Sequence, residues 1–304
     1  MSIIKVDNLT KDYGHGRGIF NVSFKIDKGE CFGFLGPNGA GKTTTIRHLM
    51  GFSKPLYGNV SILDKDCWEE SYILKANIGY LPGEISFPNS MTGKSFLDMM
   101  ANMRNLVSRE YEKSLIERFN IDIDLLIDMI SLGDKRKLAI ITAFMHDPDI
   151  LILDEPTSGL DPIMQDTFID FIKNEKERGK TILLSSHIFK EVEATCDRIA
   201  IIKDGRIVDE FLARDFKENA DRSYKMVFEE KCSVYNLIDK FHDFEIKKEN
   251  ELIATIKLKD NDIYKLIEFL AGEKISDFTE NKSSLEEYFM EFYELDRDFE
   301  EVTL

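Results

Sequence analysis

The segment Gly36-Pro-Asn-Gly-Ala-Gly-Lys-Thr43 fits the pattern G-x-x-x-x-G-K-[S/T]. A run of apolar residues at 31–35 precedes it, and a helical pattern follows it to about residue 50. In such a strand–loop–helix unit, glycines let the backbone curl so that its N–H groups face phosphate oxygens, and the helix N-terminus adds positive potential. The segment therefore predicts a phosphate-binding loop, in which Lys42 reaches the β- and γ-phosphates of a nucleotide and the Thr43 hydroxyl binds Mg²⁺.

A pair of carboxylates follows the apolar run at residues 150–153. Asp154 and Glu155 come directly after this predicted buried strand. If the strand lies beside the one that leads into the loop, Asp154 can hold Mg²⁺ through water and Glu155 can orient an attacking water. Taken alone, the pair is more simply explained as the solvated end of a strand. Together with the loop, it favours a nucleotide-hydrolysing site.

Short runs rich in Ile, Val and Phe alternate with helical patterns through the first 215 residues, which is typical of an α/β domain. Apolar residues at three- and four-residue spacings interrupt this alternation and predict a helical insertion at about residues 92–147. A tight turn is predicted at 203–205, with a returning strand from Ile207. The other predicted strands are 3–9, 22–26, 31–35, 59–63, 78–81, 150–153, 181–184 and 198–202.

A second domain is predicted at residues 216–304, where the composition becomes strongly acidic. This segment has 13 basic and 23 acidic residues. Strands are predicted at 224–228, 244–246, 252–258 and 275–279, and helices at 234–241, 262–270 and 285–293. The first six elements match the split βαβ pattern of ferredoxin-like domains, so we predict a small α+β accessory domain.

The overall composition argues against several classes of protein. The 304 residues carry a formal net charge of −16, whereas proteins that grip nucleic-acid backbones usually have a basic stripe. No run approaches the roughly 20 apolar residues needed to cross a bilayer, and the N-terminus lacks a signal-peptide pattern. Four widely spaced cysteines without a C-x-x-C pair predict buried thiols. We expect a cytosolic location.

Residues 1 to about 215 resemble the nucleotide-binding subunits of ABC transporters, because several of that family's motifs occur here in the family's order. Walker A corresponds to 36–44, Walker B to 150–155, and the D-loop to 158–161. The resemblance implies a P-loop NTPase (ABC ATPase) domain with a helical insertion. It assigns catalysis to Glu155, His187 and Lys42, a D-loop role to Asp161, and ATP binding to Tyr13, Gly36, Pro37, Asn38, Gly39, Ala40, Gly41, Lys42, Thr43 and Thr44.

Three of these residues have simpler structural interpretations. Tyr13, where the family stacks an aromatic ring on adenine, can instead pack on the neighbouring strand. His187, the family's switch histidine, follows an apolar strand and can be a core histidine. Asp161 can be the N-cap of the helix that begins at Pro162. In the family, this position is both near a helix start and at the dimer interface.

The chain departs from the family pattern at two places. The signature Leu-Ser-Gly-Gly-Gln is here Ile130-Ser-Leu-Gly-Asp134, which keeps the serine and one glycine. The resemblance implies that Ser131, Leu132, Gly133 and Asp134 face the ATP of an opposite subunit. Gly83 stands where the family usually has a glutamine that contacts Mg²⁺. We therefore predict that the next residue, Glu84, is a Mg²⁺ ligand together with Thr43 and Asp154.

The resemblance also implies the biological role. ATP would close a dimer of nucleotide-binding subunits, homo- or heteromeric, and hydrolysis would reopen it. A separate transmembrane permease would carry the substrate, so the chain would be peripheral on the cytoplasmic side of the cell membrane. The sequence Ser-Leu-Gly and the acidic accessory domain are similar to ABC-2 type exporters of drugs, peptides or ions. The alternatives are a soluble non-transport ABC ATPase acting on nucleic acid or ribosomes, and a catalytically silent module.

Overall fold

The chain forms two units, Met1–Ala213 and Arg214–Leu304, which divide close to the boundary predicted after residue 215. The computed structural model describes residues 1–219, 222–258, 262–282, 285–290 and 292. Among the helices of these ranges, none has the length and apolar character needed to cross a membrane.

The first unit begins with an antiparallel sheet whose strands are β1 (Ser2–Gly14), β2 (Arg17–Asp27), β4 (Tyr57–Ile62) and β5 (Lys65–Asp66). Their order in the sheet is β2-β1-β4-β5. β1 and β2 are longer than predicted, because polar residues beyond the apolar runs continue the hairpin to the pair Gly14–Arg17.

The second sheet of this unit consists of β3 (Cys31–Leu35), β6 (Ile78–Leu81), β7 (Ile150–Asp154), β8 (Thr181–Ser186), β9 (Arg198–Lys203) and β10 (Arg206–Leu212). The order is β10-β9-β3-β8-β7-β6, and all neighbours are parallel except the β9–β10 hairpin. Every residue of β3, β7 and β8 is buried, as expected for parallel strands covered on both faces. The expectation that the strand at 150–153 lies directly beside the one leading into the loop was wrong, because β8 lies between β7 and β3. The three strands are parallel, so their carboxyl ends are still at the same edge of the sheet.

Helices of the first unit follow these strands or form the insertion. They are α1 (Lys42–Leu49), α2 (Ser71–Asn77), α3 (Gly93–Met103), α4 (Glu110–Phe119), α5 (Leu132–Phe144), α6 (Pro162–Glu177) and α7 (Phe189–Thr195). The insertion predicted at 92–147 contains α3, α4 and α5. Thr92 caps the first of these helices by accepting a hydrogen bond from Ser95 N at 3.1 Å, which explains why it starts where the apolar pattern begins.

One apolar core joins both sheets of the first unit to α1. It includes Phe24 of β2, Phe32 of β3 and Ile46 of α1, all almost fully buried. The rings of Phe24 and Phe32 stack with centroids 5.1 Å apart. Burial of each such side chain contributes about 1.5–3 kcal/mol, so this core holds the start of α1 firmly against the strand ends.

The second unit contains β11 (Arg222–Phe228), β12 (Ile246–Lys248), β13 (Ile253–Leu258), β14 (Ile275–Lys282), α9 (Lys231–Lys240) and α10 (Ile263–Leu270), after α8 (Ala213–Asn219). Its antiparallel sheet has the order β12-β13-β11-β14. The first six elements follow the predicted order, and the ferredoxin-like assignment stays a prediction. Residues 285–290 and 292 are helical, and the rest of the predicted helix 285–293 lies outside the described residues.

Two detailed predictions were wrong. The strand expected at 244–246 begins at Ile246, because Phe244 N donates to Phe241 O at 3.0 Å and its ring packs on that of Phe241 in the turn after α9. The four thiols are not all buried. Cys232 is exposed near the start of α9, whereas Cys31, Cys67 and Cys196 are buried.

Candidate nucleotide site

The phosphate loop connects the end of β3 to the first residue of α1, as predicted. Gly41, the residue before α1, has φ +112°, and a Cβ there would lie 2.6 Å from Ile19 Cγ2. A Cβ on Gly36 would lie 2.5 Å from the backbone oxygen of Ile202. Only glycine fits these two positions, because one needs a left-handed backbone and both are crowded.

The Lys42 ammonium points into this loop. Its side chain is 5% exposed, and Nζ donates to Gly36 O at 2.5 Å and to Pro37 O at 3.1 Å. The same Nζ lies 2.9 Å from Glu155 Oε1. The phosphate loop and the carboxylate after β7, which are separated in sequence, thus meet at one cation.

Asp154 at the end of β7 receives two hydroxyl groups. Thr43 Oγ1 donates to Oδ2 at 2.8 Å, and Ser185 Oγ of β8 donates to Oδ1 at 2.5 Å. The carboxylate is fully buried. The adjacent hydroxyl and carboxylate oxygens of Thr43 and Asp154 are ligands of the kind that Mg²⁺ prefers, so this pair fits the ion.

Glu155 is held between two nitrogen groups. His187 Nδ1 donates to Oε2 at 2.6 Å, while Lys42 lies against Oε1. The Glu155 backbone is left-handed, with φ +49°, and its N–H donates to Ser185 O at 3.0 Å. The turn at this residue directs the carboxylate toward the loop.

A cleft at the loop is lined by Pro37, Asn38, Gly39, Gly41, Lys42, Thr43, Thr44 and Glu155. Tyr13, near the end of β1, is 57% exposed and does not line it. Much of the Tyr13 side chain is therefore open to solvent, and its stacking on adenine stays a prediction. His187 is likewise 46% exposed and bonded to Glu155, so it is not a core histidine.

The altered signature forms the start of α5, away from this cleft. Ser131 is the N-cap: its Oγ accepts from Asp134 N at 3.1 Å and donates to Asp134 Oδ2 at 2.8 Å. Lys137 Nζ lies 3.0 Å from Asp134 Oδ1. Burial raises the pKa of Asp134, but the hydrogen bonds from Ser131 and Lys137 outweigh it, and the net pKa is lowered. Leu132 is 68% exposed.

The D-loop lies beside this signature within the chain. A Cβ on Gly133 would be 3.3 Å from Gly159 O, so the two backbones are close. Asp161 Oδ1 accepts from Met164 N at 3.0 Å, ahead of Pro162 at the first position of α6. Within this chain, Asp161 is therefore the N-cap of α6.

Gly83 and Glu84 differ in their surroundings. A Cβ on Gly83 would lie 3.2 Å from Asp154 Oδ2, so its backbone packs against the buried carboxylate. Glu84 is exposed. Within the described part of the chain, no hydrogen bond or ion pair joins it to Thr43 or Asp154, and no group of three or more His, Cys, Asp or Glu side chains could hold a metal. The structure brings Thr43 and Asp154 together, and Glu84 stays a predicted ligand.

A buried carboxyl behind the site was not predicted. Ser186 Oγ donates to Glu191 Oε2 at 2.7 Å, and Thr157 Oγ1 donates to the same oxygen at 3.2 Å. Burial raises the pKa of Glu191 to about 7, against the lowering effect of these two hydrogen bonds. Local spacing gave no signal for it, because Thr157 and Ser186 lie outside α7 and are brought to Glu191 by the fold.

A buried cation was also missed. Arg136 of α5 is 5% exposed and donates to backbone oxygens of Pro82, Gly83 and Ser158 at 2.7–2.9 Å. Its presence next to a buried apolar stretch of α5 was the only local sign. Its partners are distant in sequence.

Known proteins are similar to this chain in sequence. The family model described as "ABC transporter" matches residues 19–158. The bacitracin transport ATP-binding protein BcrA of Bacillus licheniformis is 30% identical over 295 residues, which cover 95% of this chain and 96% of that protein. The Nod factor export ATP-binding protein I of Rhizobium meliloti is 35% identical over 212 residues, 68% of this chain and 63% of its own.

A solved structure supports the fold assignment. The structure titled "Structure of ATP binding subunit of ABC transporter" superposes with a TM-score of 0.65 at 29% identity, covering 71% of this chain and 92% of that one. The predicted P-loop ABC ATPase fold is therefore confirmed. With the loop, the two carboxylates and the histidine converging as described, the chain belongs to the ABC transporter family, as an ATP-binding and ATP-hydrolysing subunit.

Proposed function

We propose that this chain binds Mg-ATP at the loop 36–44, closes on it with a second nucleotide-binding subunit, and uses hydrolysis to power a separate permease. The contact set around Glu155 carries the proposal. One carboxylate faces Lys42 at 2.9 Å and His187 at 2.6 Å, and it lines the same cleft as the phosphate loop. This arrangement combines a cation that can offset phosphate charge with a carboxylate that can accept a proton from water.

The chemistry assigned to these residues is phosphoryl transfer to water. Lys42 is a cation that can move from the loop carbonyls to phosphate oxygens and offset their charge. Glu155 orients the attacking water and accepts its proton. His187, on the open side of Glu155, holds that carboxylate in place and can reach the γ-phosphate. Catalysis by such groups depends mainly on position, since each must lie at hydrogen-bonding distance from the reacting atoms.

Thr43 and Asp154 are the proposed Mg²⁺-holding residues, the latter through water. When bound, the ion would neutralise charge on the β- and γ-phosphate oxygens. The hydrogen bond from Ser185 fixes the rotamer of Asp154, and the Gly83 backbone covers it. Both contacts keep the carboxylate at the edge of the sheet where the loop also ends.

Ser131 and Gly133 are proposed to bind the γ-phosphate of ATP held by the opposite subunit, with Asp161 and the D-loop at the same interface. Two observations support this. The signature lies at a helix N-terminus, which favours anions, and it does not line the chain's own cleft. Tyr13 is proposed to stack on adenine, since its ring is exposed at the end of β1.

The transport assignment rests on the relatives. The matches named for bacitracin transport and Nod factor export support an exporter-type role for a drug, peptide or other small substrate. We propose a peripheral location on the cytoplasmic side of the membrane, against a permease. Sequencing the neighbouring reading frames, and co-expressing this chain with any multi-span protein that they encode, tests this. A copurifying pair with an altered ATPase rate is expected, and independent behaviour would contradict it.

The ATPase assignment is tested with Glu155→Gln and Lys42→Ala. Glu155→Gln should bind ATP with parental affinity, lose hydrolysis and accumulate an ATP-dependent dimer, which gel filtration with and without ATP would detect. Lys42→Ala should lose ATP binding. If Glu155→Gln hydrolyses ATP at the parental rate, the proposed role of the carboxylate is wrong.

A further inference from the structure

Arg136 is a charged side chain buried at the start of α5, five positions after the Ser131 N-cap. Its guanidinium donates three hydrogen bonds to backbone carbonyls. Nε reaches Ser158 O at 2.9 Å, Nη1 reaches Pro82 O at 2.9 Å, and Nη2 reaches Gly83 O at 2.7 Å. Burial alone disfavours a cation here, so these contacts must offset its loss of water.

The carbonyls belong to two loops that border the site. Gly83 follows β6 and packs against the Asp154 carboxylate, since a Cβ there would lie 3.2 Å from Oδ2. Ser158 closes a turn on the other carboxylate residue, because its N–H donates to Glu155 O at 3.1 Å. Arg136 therefore bonds to the backbone of the residue that packs against Asp154, and to the backbone of the residue that closes the turn at Glu155.

The same helix start carries the signature. Gly133 approaches the Gly159 carbonyl closely, and the Leu132 side chain lies against Gly159. The Ser131 hydroxyl is fixed by its N-cap bond to Asp134 N. The position of the signature relative to Glu155 is thus set by contacts between α5 and residues 158–159, of which the Arg136 bond to Ser158 is the one made by a charged group.

Only arginine can make this set of contacts. Its planar guanidinium holds donors in a rigid fork, and here Nε, Nη1 and Nη2 each donate to a different carbonyl. A lysine at this position would keep the charge, but its single ammonium on a flexible stem cannot reproduce the three directions. A glutamine offers one NH₂ group and adds an acceptor that faces carbonyl oxygens.

We infer that Arg136 is a positioning residue for ATP hydrolysis. It holds the signature, the loop after β6 and the D-loop in fixed positions relative to one another. This inference rests on the proposed use of the signature on the opposite subunit's ATP.

The test compares Arg136→Gln and Arg136→Lys with Lys135→Gln, a matched control that removes the same charge from the neighbouring position of α5. We expect kcat to fall about 10- to 100-fold in Arg136→Gln, with KM for ATP and the affinity for a fluorescent ATP analogue within about twofold of the parent. Arg136→Lys should remain several-fold below the parent, and Lys135→Gln should match it. If Arg136→Gln does not fold, the kcat of Arg136→Lys relative to the parent provides the test.

A second readout separates positioning from general destabilisation. In the Glu155→Gln background, Arg136→Gln should lower the fraction of ATP-dependent dimer while nucleotide binding by the single chain is retained. Parental kcat in Arg136→Gln, or a parallel fall in Tm, ATP affinity and kcat, would overturn the inference. If Glu155→Gln binds ATP but forms no dimer, the proposed subunit closure fails, and the kcat comparison alone then decides the role of Arg136.

Discussion

His187 Nδ1 donates a hydrogen bond to Glu155 Oε2 at 2.6 Å, although the two residues follow different strands. The histidine comes directly after β8 and the glutamate directly after β7, and these strands are parallel neighbours. Their shared edge of the sheet is what makes the pair possible. The histidine is half exposed, so it is open to a ligand on its other side.

The first prediction concerns this pair. We expect His187→Ala to lower kcat about 100-fold, because Glu155 loses a partner that fixes its orientation and the γ-phosphate loses a contact. ATP binding should change little, since Lys42 and the loop are intact. Steady-state ATPase assays with a separate binding titration would check this. A large loss of binding with unchanged kcat would contradict the assigned role.

The second prediction concerns Mg²⁺. Thr43→Val keeps the side-chain volume but removes the hydroxyl that bonds to Asp154, so the Mg²⁺ concentration for half-maximal ATPase should rise about tenfold or more. Thr43→Ser keeps the hydroxyl and serves as the control. Glu84→Ala in the same Mg²⁺ titration tests its predicted ligand role. An unchanged half-maximal concentration would remove Glu84 from the site.

The third prediction concerns the signature. The lowered pKa of Asp134 favours its charged form, and its carboxylate accepts a hydrogen bond from the Ser131 hydroxyl. If the signature binds a γ-phosphate as proposed, Asp134 would compete with that phosphate for the hydroxyl. We expect Asp134→Asn to strengthen ATP-dependent dimer formation several-fold in the Glu155→Gln background, because like charge near the phosphate is removed. Analytical ultracentrifugation over a range of ATP concentrations measures this. Ser131→Ala should act in the opposite direction, and weaker dimer formation in both variants would refute the competition.

The fourth prediction is a pH dependence of stability from Glu191. Its folded pKa of about 7 is above the ordinary 4.5, so the folded chain binds more protons between these values than the unfolded chain. Stability contributed by this group is present below pH 4.5 and is lost as pH rises through 7. The loss amounts to about 3 kcal/mol at most.

Glu191→Gln removes that titration, while its side-chain oxygen still accepts from Ser186 and Thr157. Relative to the parent, the variant should gain unfolding free energy between pH 5 and pH 8, as measured by urea denaturation. An equal difference between the two proteins at both pH values would show that Glu191 does not titrate in this range.

Sequence patterns predicted strand and loop positions well where those positions depend on residues within the segment itself. β3 and β6 begin and end at the predicted residues, since each is an apolar run bounded by polar or turn-forming residues. The end of β1 was missed, because its polar residues are in the strand only through pairing with β2, as between Asp12 and Gly18. Hydrophobic periodicity carries no information on that pairing.

The same distinction holds for the site. The phosphate loop was predictable, because its glycines and Lys42 act within one short segment. The partners of Glu191 and Arg136 were not, because they depend on which strand ends become neighbours and on how α5 packs beneath them. The order of parallel strands is a global property of the chain, and no local spacing encodes it.

The left-handed backbone at Glu155 has a consequence for how this protein can be improved. A non-glycine residue in that region costs about 1–3 kcal/mol. Glycine would relieve this strain, but it would also delete the carboxylate that pairs with the buried Lys42 ammonium at 2.9 Å, so Glu155→Gly would be expected to lose activity without becoming more stable. The strained backbone and the ion pair are thus tied to one residue, so a screen for more stable variants has little to gain at this position and should look elsewhere in the chain.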